Sequence, residues 1–308
     1  MIVQKAVEGG EVTQDFDPES VVIGDDHSQK MKASSIATDS ELKSCVTFSR
    51  TACSRKVLEN ISVTVLAKNS QKYLKEVLQA LLPFGEVVLY DTGSTDETIS
   101  IAESFPNVRV IRAPFIGFGP THNAASAMAK HEWILSVDSD EIMSPDALKA
   151  IAAEDLHPGK VYSFPRHNYF NGKFIRWCGW YPDRQMRLYH KGKTRFSDAQ
   201  VHEAIIAEGL VRVPLQGPII HYSYDSIANF LSKMQSYSTL FAEQYRGKRK
   251  SSLGRAIGHG FFAFFKSYFL KLGILSGYEG FVISAYNGHT AYYKYLKLYE
   301  FNSEKIRR

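Results

Sequence analysis

Two carboxylates separated by one small residue follow a short apolar run. The run covers residues 133–137, and Asp138, Ser139, Asp140 and Glu141 come directly after it. An apolar run of this length predicts a buried strand, so the acids fall where the chain leaves the sheet. Asp138 and Asp140 could there bind one hard divalent cation, Mg²⁺ or Mn²⁺, which in turn binds substrate phosphates. The alternative is a solvated acidic loop.

The elements around these acids alternate between strands and helices. Strands are predicted at residues 61–67, 86–90, 108–111 and 133–137, with helices over residues 73–82, 96–105 and 123–130. Short spacings of this kind predict a parallel sheet covered by helices on both faces. Ligands of such sheets bind beyond the carboxyl ends of the strands.

The predicted strand ends carry polar residues that could meet at one edge of the sheet. They are Lys68 and Asn69, Asp91 and Thr92, residues 112–114, and Asp138 with Asp140. Asp91 leads into a tight turn at Gly93, after which Ser94 or Thr95 could cap a helix, with Asp96 and Glu97 in its first turn. This coincidence of four strand ends favours the metal site over the solvated loop.

Composition narrows the class of protein. The chain has 308 residues with 44% apolar content, enough for one large domain or a domain with an appended smaller piece. A net charge of +5 is modest for nucleic-acid binding, and no nucleic-acid partner is expected. The cysteines, Cys45, Cys53 and Cys178, have no metal-binding spacing, which favours a reduced cytosolic setting without a zinc site. No apolar run is long enough to span a membrane, and an export signal is not expected.

The ordered set of motifs resembles family 2 glycosyltransferases of the GT-A fold. More narrowly, the second half of the chain resembles the lipopolysaccharide core β-glucosyltransferases of Gram-negative bacteria. The resemblance covers about residues 59–300. The motifs that carry it are residues 61–69, 91–98, Gly117 to Gly119 with Asn123, residues 138–141, residues 180–183, Arg187 with Leu188, residues 201–203, His221 with Tyr222, and residues 268–280.

The resemblance implies roles for the donor-binding residues. It places Asp91 at the base of the nucleotide, where a carboxylate accepts the imide N–H of uracil and so favours UDP. It implies that Asp138 and Asp140 bind the metal and that His221 joins them. Lys68, Asn69, Asn123 and Asp138 are expected to contact the nucleotide sugar, while Asp96 and Glu97 are expected mainly to cap a helix.

Two carboxylates compete for the role of general base in an inverting transfer. Glu203, which follows Val201 and His202, is favoured because related enzymes place a catalytic acid near this point. Asp183 is the alternative, with a structural turn as its other interpretation. His202 is expected to be a hydrogen-bond partner rather than the base.

The segment between residues 166 and 187 mixes aromatic and cationic side chains, which suits a sugar with anionic groups. The expected acceptor contacts are Arg166, Trp180, Tyr181 and Arg187, although many of the aromatic residues could instead fill the core. The last hundred residues combine phenylalanines with Lys248, Arg249 and Lys250. This pattern favours attachment to an anionic membrane surface, and a packed helical hairpin with a solvated basic loop is the alternative.

The predicted organisation has three parts. Residues 1–58 are expected to be a disordered extension, and residues 59–225 a catalytic domain with a donor half (59–141) and an acceptor half (142–225). Residues 226–308 are expected to be helical and to associate with the membrane. The expected activity is transfer of a hexose, glucose from UDP-glucose, to a lipopolysaccharide inner-core sugar at the cytoplasmic face of the inner membrane. The alternatives are a protein or other polymer as acceptor, or a noncatalytic protein that binds sugar nucleotides or glycolipids.

Overall fold

The computed structural model describes residues 52–198, 203–224 and 226–306. Residues 1–51, which make up most of the predicted extension, lie outside this range, as do Val201 and His202. The described strands are β1 (Ile61–Ala67), β2 (Glu86–Asp91), β3 (Val108–Arg112), β4 (Trp133–Asp138), β5 (Glu141–Met143), β6 (Lys160–Phe170), β7 (Lys173–Phe174), β8 (Arg184–His190), β9 (Val211–Pro214) and β10 (Ile219–Tyr224).

The helices divide into a set that flanks the sheet and a C-terminal set. The flanking helices are α1 (Ala52–Glu59), α2 (Gln71–Ala80), α3 (Thr98–Glu103), α4 (Phe118–Ala127) and α5 (Pro145–Ala153). The C-terminal set comprises α6 (Ile227–Tyr245), α7 (Leu253–Phe265), a π-helical turn (Lys266–Leu270), a 3₁₀ turn (Gly273–Ser276) and α8 (Gly277–Ile306).

The first four strands form the parallel sheet that the sequence predicts, in the order β3-β2-β1-β4. Asp91 pairs with Ala67 on one side and Arg112 on the other, while Asp138 pairs with Leu66. All four carboxyl ends therefore meet at one edge. Because β1 lies between β2 and β4, Asp91 and Asp138 stand two strand spacings apart, about 10 Å.

The sheet continues into the second half of the chain through antiparallel strands. β8 runs antiparallel to β4, with Leu135 opposite Leu188, and β6 follows β8. β10 pairs parallel to β6 and antiparallel to β5, which sets His221 opposite Glu141. One mixed sheet thus joins the predicted donor and acceptor halves.

Both faces of the parallel strands are buried. Val87 and Leu89 of β2 face one apolar cluster, which includes Leu74 and Leu78 of α2, and Val88 faces a second cluster with Ile134. Adjacent residues of a strand point to opposite faces, so continuous apolar strands need cover on both sides. The α/β fold expected from the sequence is confirmed, including the C-terminal helical extension.

The element boundaries differ most from the sequence predictions at α1 and α4. Residues 52–58 belong to the predicted disordered extension, but they form most of helix α1. Leu58 of this helix is only 2% exposed and packs in the main core. α4 begins at Phe118 rather than at residue 123, so His122 and Asn123 lie inside the helix. Pro120 in its first turn is compatible with a helix start, since the first helical N–H groups have no intrahelical partner.

The turn before α3 also differs from its predicted capping. The side chains of Ser94 and Thr95 do not cap α3; Ser94 Oγ instead accepts a hydrogen bond from the backbone N–H of Asn69 (2.9 Å). Asp96 lies before the helix rather than in its predicted first turn, and its Oδ1 accepts from the backbone N–H of Thr98 (3.0 Å). Glu97 occupies the N-cap position without a capping hydrogen bond from its side chain.

The C-terminal helices pack on one another through small residues. A Cβ atom on Gly260 of α7 would lie 2.9 Å from the Cβ of Tyr292 on α8, and one on Gly288 would lie 3.0 Å from the Cβ of Phe264. The two helices therefore approach closely at these glycines. Within the part of the chain that the structure describes, no helix combines the length and apolar character needed to cross a membrane.

The backbone at Gly217, just before β10, packs directly against the backbone of α5. Gly217 has a φ of +85°, and a Cβ atom there would lie 2.2 Å from the backbone nitrogen of Ala147 on α5. The chain then enters β10, which carries His221. Only glycine satisfies both the backbone conformation and the lack of space.

We expect Gly217→Ala to destabilise the fold more than Gly209→Ala. Both glycines have positive φ (+85° and +73°), but a Cβ atom on Gly209 meets nothing within 4 Å. Each variant therefore carries the left-handed backbone cost of about 1–2 kcal/mol, while Gly217→Ala adds an overpacking cost of about 1–3 kcal/mol. Urea denaturation midpoints measure the difference. Equal free energies of unfolding for the two variants would contradict the packing argument.

Candidate active site

A buried arginine lies beneath the acidic turn at the end of β4. Arg187 of β8 is 7% exposed, and its Nη2 donates to Asp138 Oδ2 (2.6 Å) and to Glu141 Oε1 (2.5 Å). The backbone N–H of Asp138 donates to Glu141 Oε2 (3.2 Å), which closes the turn. Glu141 therefore supports the turn, and Asp138 and Asp140 occupy its more exposed positions, with side chains 37% and 40% exposed.

The charges in this cluster shift the ionisation of both acids in opposite directions. Burial alone would raise the pKa of Asp138, but the Arg187 guanidinium outweighs burial and lowers that pKa to about 2. Burial raises the pKa of Glu141, and the neighbouring Asp138 charge adds to the rise although Arg187 opposes it. Arg187 therefore stabilises the charged form of Asp138 more strongly than that of the fully buried Glu141.

Asp91 organises the loop after β2. It is 3% exposed, and its carboxylate accepts hydrogen bonds from the backbone N–H groups of Gly93 (3.1 Å) and Ser94 (3.1 Å). Asn69 Oδ1 accepts from the backbone N–H of Thr95 (2.8 Å), which ties the loop after β1 to this loop. A cavity of about 540 Å³ opens beside Asp91 and extends to Arg112 and Pro114. Lys68 is exposed at the same edge.

His221 and Asp140 face each other across the junction of β10 with the acidic turn. His221 Nε2 lies 3.5 Å from Asp140 Oδ2, and the backbone N–H of Tyr222 donates to the Asp140 carbonyl (3.2 Å). His221 Nδ1 is 2.6 Å from Asn168 Oδ1. The structure thus brings together two of the three predicted metal ligands, and Asp138 lies on the same turn.

The donor chemistry of this group fits a divalent cation. Carboxylate oxygens suit Mg²⁺ and Mn²⁺, and an imidazole nitrogen is acceptable to Mn²⁺. Among residues 52–198, 203–224 and 226–306, no three acidic, histidine or cysteine side chains are close enough to form a preassembled metal site. One Asp138 oxygen is bound to Arg187, so the ligands would have to converge when an ion binds.

Asp183 is held by three donors. Its carboxylate accepts from Arg166 Nε (2.8 Å), Asn168 Nδ2 (3.1 Å) and Gln185 Nε2 (2.7 Å). Burial would raise its pKa, but Arg166 and these hydrogen bonds outweigh burial and lower it. A carboxylate stabilised as an anion is a weaker proton acceptor, which argues against Asp183 as the base in this conformation.

Glu203 lies near a buried histidine of α4. Its Oε1 is 4.0 Å from His122 Nε2, and its side chain is 23% exposed. Burial lowers the pKa of His122 to about 4, so the imidazole is neutral at pH 7. The ring stacks on Phe196 at 4.3 Å, which fixes its plane. Glu203 is therefore partly accessible and faces an uncharged neighbour, and its role as base stays a prediction.

The side chain of Asn123 forms hydrogen bonds with the backbone of Phe196. Its Nδ2 donates to the Phe196 carbonyl (2.9 Å), and its Oδ1 accepts from the Phe196 N–H (2.9 Å). The pair of hydrogen bonds fastens residue 196 to α4. A contact between Asn123 and the donor sugar stays a prediction.

The four predicted acceptor residues fall in different surroundings. Arg187 is buried against Asp138 and Glu141, which argues against an acceptor contact. Arg166, 22% exposed, lies between Glu141 (3.4 Å) and Asp183 (2.8 Å). Trp180 stacks on Tyr224, with ring centroids 5.5 Å apart, whereas Tyr181 is 36% exposed.

Tyrosine residues beside His221 form a small cavity that the sequence interpretation missed. Tyr73 of α2 stacks on Tyr222, with centroids 4.5 Å apart and planes 7° apart, and Tyr169 lies 5.7 Å from Tyr222. The cavity has a volume of about 180 Å³, and Lys72 is also in its wall. The adjacent His221 and Tyr222 in the sequence were the available signal, but Tyr73 is far away along the chain.

Comparisons with known proteins agree with the motif order. Residues 62–214, about half of the chain, match the family described as Glycosyl transferase family 2. Over 204 residues the chain is 28% identical to the lipopolysaccharide core biosynthesis glycosyltransferase LpsC of Rhizobium meliloti, which covers 61% of this chain and 73% of LpsC. Over 268 residues it is 25% identical to an uncharacterized glycosyltransferase of Rickettsia typhi, covering 79% of this chain and 88% of that protein.

A solved structure is also similar to this chain, at lower sequence identity than the relatives above. S. aureus TarS 1-349 in complex with UDP-GlcNAc aligns with 80% of this chain and 91% of that chain, at 18% identity and a TM-score of 0.42. The family match runs from β1 through β9 and includes the acidic turn, whereas β10 with His221 lies outside it. The chain therefore belongs to glycosyl transferase family 2 and resembles an enzyme of lipopolysaccharide core biosynthesis.

Proposed function

We propose that the protein is an inverting hexosyltransferase that moves glucose from UDP-glucose to an inner-core sugar of lipopolysaccharide. The observation that carries the proposal is the placement of Asp91 and Asp138 on either side of β1 at one sheet edge, with a cavity of about 540 Å³ beside Asp91. Their separation of about 10 Å matches two ends of an extended nucleoside diphosphate rather than one small ligand. Similarity to LpsC supports the choice of acceptor.

The donor would lie across the ends of β2, β1 and β4. Asp91 has acceptor capacity beyond its two backbone partners, because an ionised carboxylate offers about four lone-pair sites. It can therefore accept the imide N–H of uracil while it holds the loop at residues 91–94. Lys68 and Asn69, on the neighbouring loop, are within the same strand-end surface and would contact the diphosphate or the sugar.

Asp138, Asp140 and His221 would hold a Mg²⁺ or Mn²⁺ ion at the diphosphate. When bound, the ion would neutralise charge that develops on the departing UDP. Arg187 keeps Asp138 ionised and in place from below. The positive charges of Arg187 and Arg166 lie on the protein side of the turn and would favour the anionic leaving group.

Glu203 would take the proton from the acceptor hydroxyl. It has a partly exposed side chain and a neutral neighbour, His122, whereas Asp183 is held as an anion by Arg166, Asn168 and Gln185. Asp183 remains the alternative base. The proton transfer requires the base within hydrogen-bond reach of the hydroxyl, opposite the departing diphosphate.

The acceptor would enter from the side of β6 and β10. Tyr181 is exposed there, Arg166 supplies a cation, and Trp180 supports the aromatic surface from behind. Aromatic faces pack on the C–H faces of sugars, and guanidinium groups pair with phosphate. A protein or another polymer as acceptor is the competing proposal.

An anionic membrane surface is the proposed partner of the C-terminal helices. Large apolar side chains are exposed along α7 and the turns after it, including Phe261 (71%), Leu270 (62%) and Leu275 (62%). Exposed apolar patches of this kind mark interaction surfaces. Lys248, Arg249 and Lys250 precede α7 and supply positive charge for anionic headgroups. Attachment at the cytoplasmic face of the inner membrane would bring the enzyme to a lipid-linked acceptor.

Metal-dependent turnover is tested with Asp140→Ala. We expect the wild-type protein with Mn²⁺ to release UDP slowly from UDP-glucose and to add one hexose to truncated lipopolysaccharide. Asp140→Ala should reduce both rates at least 100-fold, because the ion loses a charged ligand. Coupled UDP detection and mass spectrometry measure the two reactions. Asp146→Ala, at a side chain that is 73% exposed, is the matched control and should retain activity.

Other outcomes of this experiment separate the competing functions. UDP release without a mass change on any lipopolysaccharide would contradict the acceptor and favour a protein or another polymer. Absence of UDP release from any sugar nucleotide would favour a noncatalytic binding protein. Activity of Asp140→Ala within a few-fold of wild type would contradict the metal role of that residue.

The base is tested with Glu203→Gln and Asp183→Asn. Glu203→Gln should reduce transfer by about 100- to 10,000-fold, the usual contribution of general-base catalysis. The Kd for UDP-glucose should change little, because the side chain acts on the acceptor. Asp183→Asn should cause a smaller loss. Transfer rates and calorimetric donor affinity measure both effects, and the opposite ranking of the two variants would reverse the assignment.

Membrane attachment is tested with the triple variant Lys248→Gln, Arg249→Gln, Lys250→Gln. Each basic residue near an anionic surface contributes about 1 kcal/mol, so the triple variant should bind phosphatidylglycerol vesicles on the order of 100-fold more weakly at low salt. The difference should shrink at high salt. Vesicle sedimentation measures the difference, and the triple variant Lys75→Gln, Lys149→Gln, Lys193→Gln is the control. Equal binding of both triple variants would favour a packed hairpin with a solvated loop.

A further inference from the structure

Asn168 is a buried residue of β6 whose side chain contacts two candidate functional residues. It is 7% exposed and lies opposite His221 in the parallel pairing of β6 with β10. Its Nδ2 donates to the Asp183 carboxylate (3.1 Å) and to the Trp180 carbonyl (3.3 Å). Its Oδ1 lies 2.6 Å from His221 Nδ1. One amide thus connects the alternative base with a candidate metal ligand.

The partners of Asn168 determine which way its amide points. A carbonyl and an ionised carboxylate accept hydrogen bonds and cannot donate, so the NH₂ group must face Trp180 and Asp183. The amide oxygen then faces His221, and Ser223 Oγ donates to the same oxygen (3.0 Å). Because an amide oxygen only accepts and lies 2.6 Å from His221 Nδ1, that nitrogen must carry a hydrogen. Ser223 Oγ, which gives its own hydrogen to Asn168, lies 2.9 Å from the same nitrogen and can also accept this hydrogen.

This hydrogen decides what His221 presents to Asp140. In a neutral imidazole with hydrogen on Nδ1, Nε2 carries a lone pair. That atom lies 3.5 Å from Asp140 Oδ2, so two acceptors face each other. Two lone pairs directed at the same space would repel each other unless a cation lay between them, so Asp140 and His221 could together hold a divalent ion there.

We propose that Asn168 is a positioning residue that fixes His221 in the Nδ1–H tautomer and presents its Nε2 lone pair to a divalent cation shared with Asp140. The inference rests on the proposed metal-dependent function and adds to it a residue outside the family motifs. The amide also links the metal ligand to Asp183. Partners behind a metal-binding histidine fix its tautomer and ring orientation, and their loss weakens metal binding by about 10- to 100-fold.

The tautomer is measured directly by ¹⁵N NMR of the histidine rings in metal-free protein at pH 8. The spectrum of His221→Gln identifies the His221 signals by their absence. We expect the wild type to show a protonated Nδ1 and a bare Nε2, and Asn168→Ala to show a shift toward the Nε2–H tautomer. A wild-type ring with hydrogen on Nε2, or an unchanged tautomer in Asn168→Ala, would overturn the proposal.

Metal affinity is measured by electron paramagnetic resonance of free Mn²⁺ in the presence of UDP. Asn168→Ala should weaken Mn²⁺ binding about 10- to 100-fold. Asn171→Ala is the matched control, because Asn171 is an exposed asparagine that donates to Glu279 (3.1 Å) and is expected to leave Mn²⁺ binding unchanged. An affinity of Asn168→Ala within twofold of wild type would overturn the proposal.

A second variant tests the same role when Asn168→Ala does not fold. Ser223→Ala removes the other side chain beside His221 Nδ1 and leaves the Asn168 oxygen 2.6 Å from it. We expect Ser223→Ala to keep the Nδ1–H tautomer and a Mn²⁺ affinity within about threefold of wild type. Loss of that tautomer in Ser223→Ala would assign it to Ser223 and overturn the proposal.

Failure of the proposed function can be distinguished from failure of this inference. A wild-type protein that binds UDP but no Mn²⁺ would contradict the metal-dependent function and, with it, the cation shared by His221 and Asp140. A wild-type protein that binds Mn²⁺ with His221 in the Nε2–H tautomer would leave the function standing and overturn the role of Asn168.

Discussion

The arrangement of the site depends on a buried ion pair between one arginine and two acids. Arg187 holds Asp138 and Glu141 together at the end of β4, and Glu141 in turn closes the chain onto the backbone N–H of Asp138. Without the guanidinium, two carboxylates would share a poorly solvated position, and removal of one partner from a buried pair typically costs about 3–5 kcal/mol. The exposed placement of Asp138 and Asp140 therefore follows from a cation contributed by β8, on the antiparallel part of the sheet.

The same charges extend from the donor half into the acceptor half. Arg166 lies between Glu141 and Asp183, and Asn168 continues from Asp183 to His221, which returns to Asp140. Hydrogen-bond donors and acceptors alternate from Glu141 to His221, and the proposed Nδ1–H tautomer then places the Nε2 lone pair of His221 against Asp140. A local shift at any member changes the hydrogen bonds of its neighbours, because buried polar groups need their partners. Residues of the predicted sugar-donor half and of the predicted sugar-acceptor half are therefore coupled by direct contacts, although they are distant along the chain.

The sheet and its functional edge were predictable, while the partners behind the edge were not. Apolar runs such as residues 61–67 predict buried parallel strands, and two acids directly after such a run predict a candidate metal site at the strand end. The sequence predicts Arg187 as an acceptor contact, because only the pairing of β4 with β8 brings it against Asp138. Nothing in the local sequence distinguishes Asn168 from the other polar residues of its aromatic segment. The predicted start of α4 is too late, because two glycines and a proline at residues 117–120 are typical of a loop, whereas in the structure a helix that packs on β1 begins there.

The segment that carries Trp180 is fastened to the C-terminal helices rather than to the sheet alone. The Cys178 N–H donates to the Lys271 carbonyl (2.9 Å), and Asn171 and Lys173 both bind Glu279 at the start of α8. The exposed apolar side chains of residues 270–281 belong to the same short stretch of chain. With this surface on a bilayer, the aromatic segment would stand at a fixed height above the lipid. Acceptor sugars at that distance from the membrane would then reach the site, and sugars nearer to the lipid or farther from it would not.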